Sequence, residues 1–199
     1  MIFLTAKELA HGFSFSKTDI EGLYVVGPFF TEDARGPFIK DYSEYIFREN
    51  GITHEVKEVF YSRSKRGVLR GMHFQRKKQQ PKLIRCINGS IFDVVIDLRV
   101  ESPTFKKWLS FNLTGENLKG ILVPARCAHG FLALDESLVS YKCAERFYAE
   151  YDGGIVWDDP DLNIEWPLDI IGGRDKLILS EKDLNLPGLS DVISNYDSF

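Results

Sequence analysis

Lys82-Leu83-Ile84-Arg85-Cys86-Ile87, then Asn88-Gly89, then Ser90-Ile91-Phe92-Asp93-Val94-Val95-Ile96-Asp97-Leu98-Arg99 is the stretch that decides the fold. Asn-Gly between two apolar runs readily supplies the two positive φ values of a tight turn, so a β-hairpin is expected here. Side chains alternate faces along a strand. Phe92, Val94, Ile96 and Leu98 therefore share a wholly apolar face, and Ile91, Asp93, Val95, Asp97 and Arg99 share the other. A face mixing apolar residues with spaced charges fits a wet cavity lining and a solvent surface equally well.

Outward from this hairpin, strands are expected over residues 68–75, 107–113, 120–123, 131–134 and 138–143. Turn residues separate them at short intervals, which points to an all-β sandwich or barrel. The aromatic fraction of 13%, with 15 Phe, agrees, because flat side chains pack well on sheets. Two short helices are expected, over residues 5–10 with Thr5 as a cap and over residues 43–49. From about Trp157 the chain changes character: Asp159-Pro160, Trp166-Pro167 and Leu186-Pro187 are extended or turn segments. Such a tail needs a surface to lie on, and the mouth of the barrel is one. No repeat, low-complexity tract or composition break marks a linker, so residues 1–199 are expected to form one domain, its tail from about 157 packing on the barrel.

The net charge of −4 gives no general attraction to a phosphate backbone, so nucleic acid is not an expected partner. Cys86, Cys127 and Cys143 are an odd number without CxxC spacing, which argues against a disulfide framework or a zinc site and fits a reducing compartment. The apolar run Met1-Ile2-Phe3-Leu4 is too short for a signal peptide. No uncharged apolar stretch approaches the roughly 20 residues that span a bilayer. A cytoplasmic protein without a membrane partner is expected.

The chain lacks GxGxxG, GxxxxGK[ST], GxSxG and HExxH. It also lacks HxH, so three of its four His would have to converge from distant segments to hold a metal; neither metal nor cofactor is expected. What remains is Gly67-Val68-Leu69-Arg70-Gly71-Met72-His73-Phe74-Gln75, Lys82, and Ala128-His129-Gly130-Phe131. A His between Met and Phe reads, by itself, as a hydrogen-bonded core residue. Arg70 and the run Arg76-Lys77-Lys78 beside it suit an anionic ligand, and the small neighbours of His129 let backbone approach a ligand closely. Strict alternation would put Arg70 and His73 on opposite faces, so a shared ligand requires a bend or bulge at Gly71.

These residues carry a family likeness. From roughly residue 25 to 183 the chain resembles the dTDP-4-dehydrorhamnose 3,5-epimerases. The landmarks are Asp33-Ala34-Arg35-Gly36, residues 67–75, Lys82-Leu83-Ile84-Arg85, residues 92–99, Ser102-Pro103-Thr104-Phe105, residues 124–131, Tyr141-Lys142-Cys143, Trp157-Asp158-Asp159, Trp166-Pro167 and Ser180-Glu181-Lys182-Asp183. The resemblance implies a cupin-type jelly-roll homodimer acting on a nucleotide-linked keto sugar. It implies His73 as base, Asp183 orienting it, Tyr141 as acid on the opposite sugar face, and Lys82 at the enolate oxygen. It further implies that Arg70 and His129 hold the substrate, that Arg35 and Lys182 sit near the diphosphate, and that Lys40, Glu58, Phe60 and Asp152 complete the binding set.

The chemistry suits those roles. A C4 ketone acidifies the hydrogens on C3 and C5 because either carbanion delocalises onto oxygen. Imidazole, titrating ordinarily near about 6.5, can take such a proton at neutral pH. A carboxylate on its other nitrogen fixes the tautomer, an ammonium at the developing oxyanion stabilises it, and a phenol of ordinary pKa about 10 holds the proton to be returned. The chain departs from the family in having Lys40 where Glu is usual, Glu58-Val59-Phe60 where Gln-Asp-Asn is usual, Arg146-Phe147 for a tyrosine pair, Cys127 for an aromatic, and a loop at 76–81 one residue short. A CDP-linked substrate or inversion at one carbon alone is the alternative within this class; a metal-dependent cupin and a catalytically silent sugar-binding cupin are the alternatives outside it.

Overall fold

The structure, a computed structural model, describes residues 12–195. Its strands are β1 (Ser14–Lys17), β2 (Tyr24–Gly27), β3 (Phe29–Asp33), β4 (Gly36–Lys40), β5 (Glu58–Ser64), β6 (Leu69–Gln75), β7 (Lys82–Asn88), β8 (Ser90–Asp97), β9 (Trp108–Thr114), β10 (Gly120–Val123), β11 (Cys127–Ala133), β12 (Ser137–Cys143) and β13 (Asp152–Gly154). The helices are short: α1 (Glu44–Glu49), α2 (Leu168–Ile171), α3 (Glu181–Leu184) and α4 (Leu189–Asn195). Two antiparallel sheets, β1-β2-β10-β7-β12-β5 and β13-β6-β11-β8-β9, face each other as an all-β jelly-roll barrel of cupin type, and β3-β4 forms a separate ribbon. The helix expected over residues 43–49 forms as α1; the one expected over residues 5–10 lies outside the described residues.

The hairpin expected at Asn88-Gly89 does not form. β7 is flanked by β10 and β12 in one sheet, and β8 by β11 and β9 in the other, so the dipeptide is a corner between sheets. Of the pair only Gly89 has a positive φ, 82°, and a Cβ there would lie 2.2 Å from the Glu136 carbonyl oxygen. The apolar runs bury more surface against strands from distant segments than against each other, and tertiary packing overrides the local turn preference.

The alternation read in β8 decides what each face meets. Phe92, Val94, Ile96 and Leu98 pack with Leu69, Met72 and Leu132 against tail residues Trp157, Leu162, Trp166, Ile171, Leu189 and Val192. Most of the tail thus lies on the outer face of the five-stranded sheet, and the short segment that holds Lys182 and Asp183 reaches the cavity. Two indoles anchor it: Trp166 Nε1 donates to the Trp157 carbonyl at 2.8 Å and Trp108 Nε1 to the Leu162 carbonyl at 2.9 Å. Each such large apolar side chain contributes about 1.5–3 kcal/mol by leaving water. On the other face of β8, Ile91 and Val95 join Ile84, Cys86, Phe131, Val139 and Tyr141 between the sheets. That face is interior and its charges are paired: Asp97 with Arg99 Nε at 2.7 Å, Asp93 with His129. A third cluster, Phe13, Val26, Phe47, Leu83 and Leu122, covers the outer face of the six-stranded sheet under α1.

Candidate active site

His73 sits on β6, opposite His129 of β11 and Gly154 of β13. Between β6 and β11 the register shifts: His73 pairs with His129, but Arg70 pairs with Phe131, so three steps on β6 match two on β11. The extra residue turns Arg70 to the face of His73. Gly71 permits this with φ 126°, and a Cβ on it would lie 2.5 Å from Gly130 Cα. A Cβ on Gly130 would in turn lie 2.7 Å from the Arg70 carbonyl oxygen, so its smallness serves the contact between strands and not, as the sequence suggested, an approach to ligand. The run Arg76-Lys77-Lys78 lines neither lobe of the cavity described below.

Behind His73 stands α3. Ser180 caps it, its hydroxyl accepting from the Asp183 N–H at 3.1 Å, and this holds Asp183 with Oδ1 2.6 Å from His73 Nε2. The Asp183 side chain is 5% exposed and that of His73 29%, so the imidazole separates the carboxylate from the cavity. A carboxylate only accepts, so Nε2 carries the proton and Nδ1 keeps its lone pair. Burial raises the Asp183 pKa, but the hydrogen bond and electrostatic pull of His73, with Ser180 and Lys182, outweigh it and hold the acid below its ordinary value.

The cavity has two lobes that share Phe60, His73 and Lys82. The inner lobe, about 210 Å³, is completed by Ser62, Arg70, His129, Phe131 and Tyr141. Tyr141 reaches it from β12, its ring stacked on Phe60 with centroids 4.5 Å apart; burial pushes its phenol above the ordinary tyrosine range. Burial likewise lowers the Lys82 ammonium, against the opposing pull of Cys143 and Asp152. That ammonium makes no hydrogen bond or ion pair among the described residues. His129 Nε2 lies 2.8 Å from Asp93 Oδ2; Asp93 is wholly buried, its pKa raised by that burial against the influence of His129, and its Oδ1 has no hydrogen-bond partner among the described residues. Arg70 is held by Nε to Ser64 Oγ at 3.0 Å.

The outer lobe, about 480 Å³, is walled by Glu58, Phe74, Gln75, Gln80, Phe147, Asp152 and Lys182. Glu58 Oε2 accepts from the Phe147 N–H at 3.1 Å and from Gln80 Nε2 at 3.3 Å. Lys182 is ion-paired with Asp152. Ten of the twelve side chains singled out in the sequence therefore meet here or directly behind it: His73, Tyr141, Asp183, Lys82, Glu58, Phe60, Arg70, His129, Asp152 and Lys182. Arg35 and Lys40 do not. They stand on the β3-β4 ribbon, Arg35 89% exposed and paired with Asp33, Lys40 over the Phe29 ring at 5.7 Å.

Ser62 and Gln80 were not read from the sequence, nor was Asp93 as the partner of His129; Gln75, Phe131 and Phe147 stood in the quoted stretches without a role of their own. For Asp93 the signal was an acid at an inward position of an otherwise apolar strand. β5 offered less, because Val59, which also lines the outer lobe, Phe60 and Tyr61 are consecutive large side chains, all exposed, and no alternation marks the cavity face. Among the described residues no three or more His, Cys, Asp or Glu are grouped to hold a metal ion, and no helix is long and apolar enough to cross a membrane.

The sequence model of the family described as dTDP-4-dehydrorhamnose 3,5-epimerase matches residues 17–191. The dTDP-4-dehydrorhamnose 3,5-epimerase of Methanothermobacter thermautotrophicus is 49% identical over 174 residues, spanning 87% of this chain and 92% of the relative. This chain belongs to the dTDP-4-dehydrorhamnose 3,5-epimerase family. Among solved structures, the dTDP-6-deoxy-D-glucose-3,5-epimerase of Legionella pneumophila Philadelphia 1, in complex with dTDP-4-keto-L-rhamnose, is 34% identical with a TM-score of 0.84, covering 89% of this chain and 93% of that one. A 3'-monoepimerase from Streptomyces bikiniensis, in complex with dTDP-quinovose, is 31% identical with a TM-score of 0.82, covering 89% of this chain and 88% of that one. Full epimerases and a one-carbon epimerase thus share this family fold.

Proposed function

We propose that this chain is an isomerase that inverts carbons beside the C4 ketone of a dTDP-linked 4-keto-6-deoxy sugar. One arrangement carries the reading: His73, backed by Asp183, and a protonated phenol, Tyr141, border one small lobe together with the Lys82 ammonium, which has no hydrogen-bond or ion-pair partner among the described residues. His73 Nδ1 takes the proton from the carbon. The bonding pair enters the enolate, whose oxygen is met by Lys82, and Asp183 stabilises the imidazolium. Tyr141 then delivers a proton to the opposite face and the ketone re-forms. His73 returns its proton to solvent and the Tyr141 phenolate recovers one, so no redox change occurs. Arg70 and His129 hold the sugar, and the outer lobe, with Lys182, seats the nucleotide diphosphate.

The working form is a homodimer. Phe30 and Phe38 on the β3-β4 ribbon are exposed apolar residues that a second copy would cover. Such a ribbon, reaching the other copy's outer lobe, would bring Arg35 and Lys40 to the nucleotide. The buried thiols of Cys86, Cys127 and Cys143, all unpaired, suit a reducing cytoplasm. Similarity to a 3'-monoepimerase supports a second reading, in which one carbon alone is inverted.

Incubation with dTDP- and CDP-4-keto-6-deoxyglucose in heavy water, followed by NMR, tests the proposal. Deuterium at C3 and C5 of an inverted dTDP sugar is expected; label at one carbon selects the second reading, label only with the CDP sugar changes the nucleotide, and no exchange with either removes the activity.

A further inference from the structure

Tyr141 is poorly anchored by polar contacts. Among the described residues its hydroxyl has one hydrogen-bonding partner, Ser62 Oγ at 3.4 Å, well beyond the usual O–H···O range of about 2.5–3.0 Å. Its direction must come from packing. Phe60 and Tyr141 are directly opposed across the β5–β12 ladder, and their rings stack at 4.5 Å with planes 16° apart. His129 meets the same phenol edge-on, centroids 6.3 Å apart and planes at 77°. The phenol is thus held between one face and one edge. Phe60 also stands at the seam of the two lobes, where the resemblance gives asparagine, a side chain that cannot stack this way.

We infer that Phe60 is a positioning residue for Tyr141: its ring aims the phenol at the sugar face opposite His73 and so sets how often proton removal ends in inversion. The inference rests on the epimerase reading. After His73 takes the carbon proton and the pair moves onto the ketone oxygen, the enolate has two fates. Protonation by Tyr141 breaks its O–H bond, forms a C–H bond on the far face, and leaves phenolate and imidazolium to exchange with solvent. Protonation by the imidazolium restores the original centre, carrying deuterium when its proton has exchanged. Misaiming the phenol disfavours the first fate and leaves the second.

The test is Phe60→Leu, with Phe60→Tyr as the variant that keeps the stack. In heavy water, inverted product and deuterium in recovered, uninverted substrate are followed together by NMR. A displacement of about 1 Å at a reacting group costs up to ~100-fold, so Phe60→Leu should slow inversion by roughly 10- to 100-fold. Proton removal, summed over both fates, should fall by clearly less than inversion does, and Phe60→Tyr should restore inversion. An unchanged ratio of inversion to wash-in in Phe60→Leu overturns the inference. So does an equal loss of both, a change in KM alone, or failure of Phe60→Tyr to rescue. The wild-type enzyme separates the two levels: if it neither exchanges nor inverts, the epimerase reading falls and this inference with it; if it does both, the ratio judges Phe60 alone.

Discussion

Asp183→Asn removes the charge behind His73 while preserving the shape of the side chain. The hydrogen bond it alters is 2.6 Å long, and its carboxylate is almost fully shielded from water. A hydrogen bond to a charged group contributes about 1.5–3 kcal/mol. At about 1.36 kcal/mol per tenfold in rate, losing that contribution as the imidazolium forms slows proton removal by roughly 10- to 150-fold. The amide adds a second effect: if its NH2 faces Nε2, the imidazole proton shifts to Nδ1 and the free lone pair is lost, so the upper end of the range is expected. Substrate binding should hardly change, because Asp183 lines neither lobe. The assay is the rate of deuterium wash-in by NMR, beside a dTDP titration and a thermal melt. A folded variant that exchanges at the wild-type rate would refute the reasoning; one that merely lost nucleotide affinity would move Asp183 from the chemistry to the binding seat.

Tyr141→Phe removes the acid but leaves the base, so inversion should fall at least about 100-fold while deuterium still enters recovered substrate, and product formed at an unchanged rate would count against the role. Lys82 assists only while charged and burial lowers its pKa, so activity should decline as pH rises through a point below the ordinary lysine value of about 10.4; a pH–rate profile flat beyond that value would contradict it. Asp97 is opposed by burial but held by Arg99, Thr104 and Ser102 at a pKa of about 2, from an ordinary 3.8. A lowered acid stabilises the fold above its unfolded pKa and loses that contribution as pH falls through the folded one. Asp97→Ala should therefore cost about 2 kcal/mol at neutral pH, a difference that closes between about pH 4 and pH 2 in denaturant melts.

The sequence displayed some of this directly and hid the rest for physical reasons. Alternation in residues 90–99 described both faces of β8 correctly, because the pleat has a fixed period of two. It could not say that β7 and β8 part company, since strand partners are chosen by burial across the whole chain and Asn-Gly reports only on its own turn. β1 to β5 and β13 escaped notice as well: all but β5 have only three to five residues, too few for a period to show, and the seven residues of β5 show no regular alternation of burial. At the site, the bend at Gly71 was legible because Arg70 and His73 could share a ligand no other way. The aromatic clamp on Tyr141 was not, since residues 60 and 141 are adjacent only across a ladder that joins distant segments. Arg35, which stands in the family's motif, and Lys40, which departs from it, lie on a ribbon that in one chain lines neither lobe of the cavity.

The central claim is that His73 removes the carbon proton, and His73→Asn tests it most directly. The variant should melt like the wild type, bind dTDP with wild-type affinity, and show no deuterium entering C3 or C5 of the keto sugar. Exchange at the wild-type rate in that folded, binding-competent protein would contradict the account.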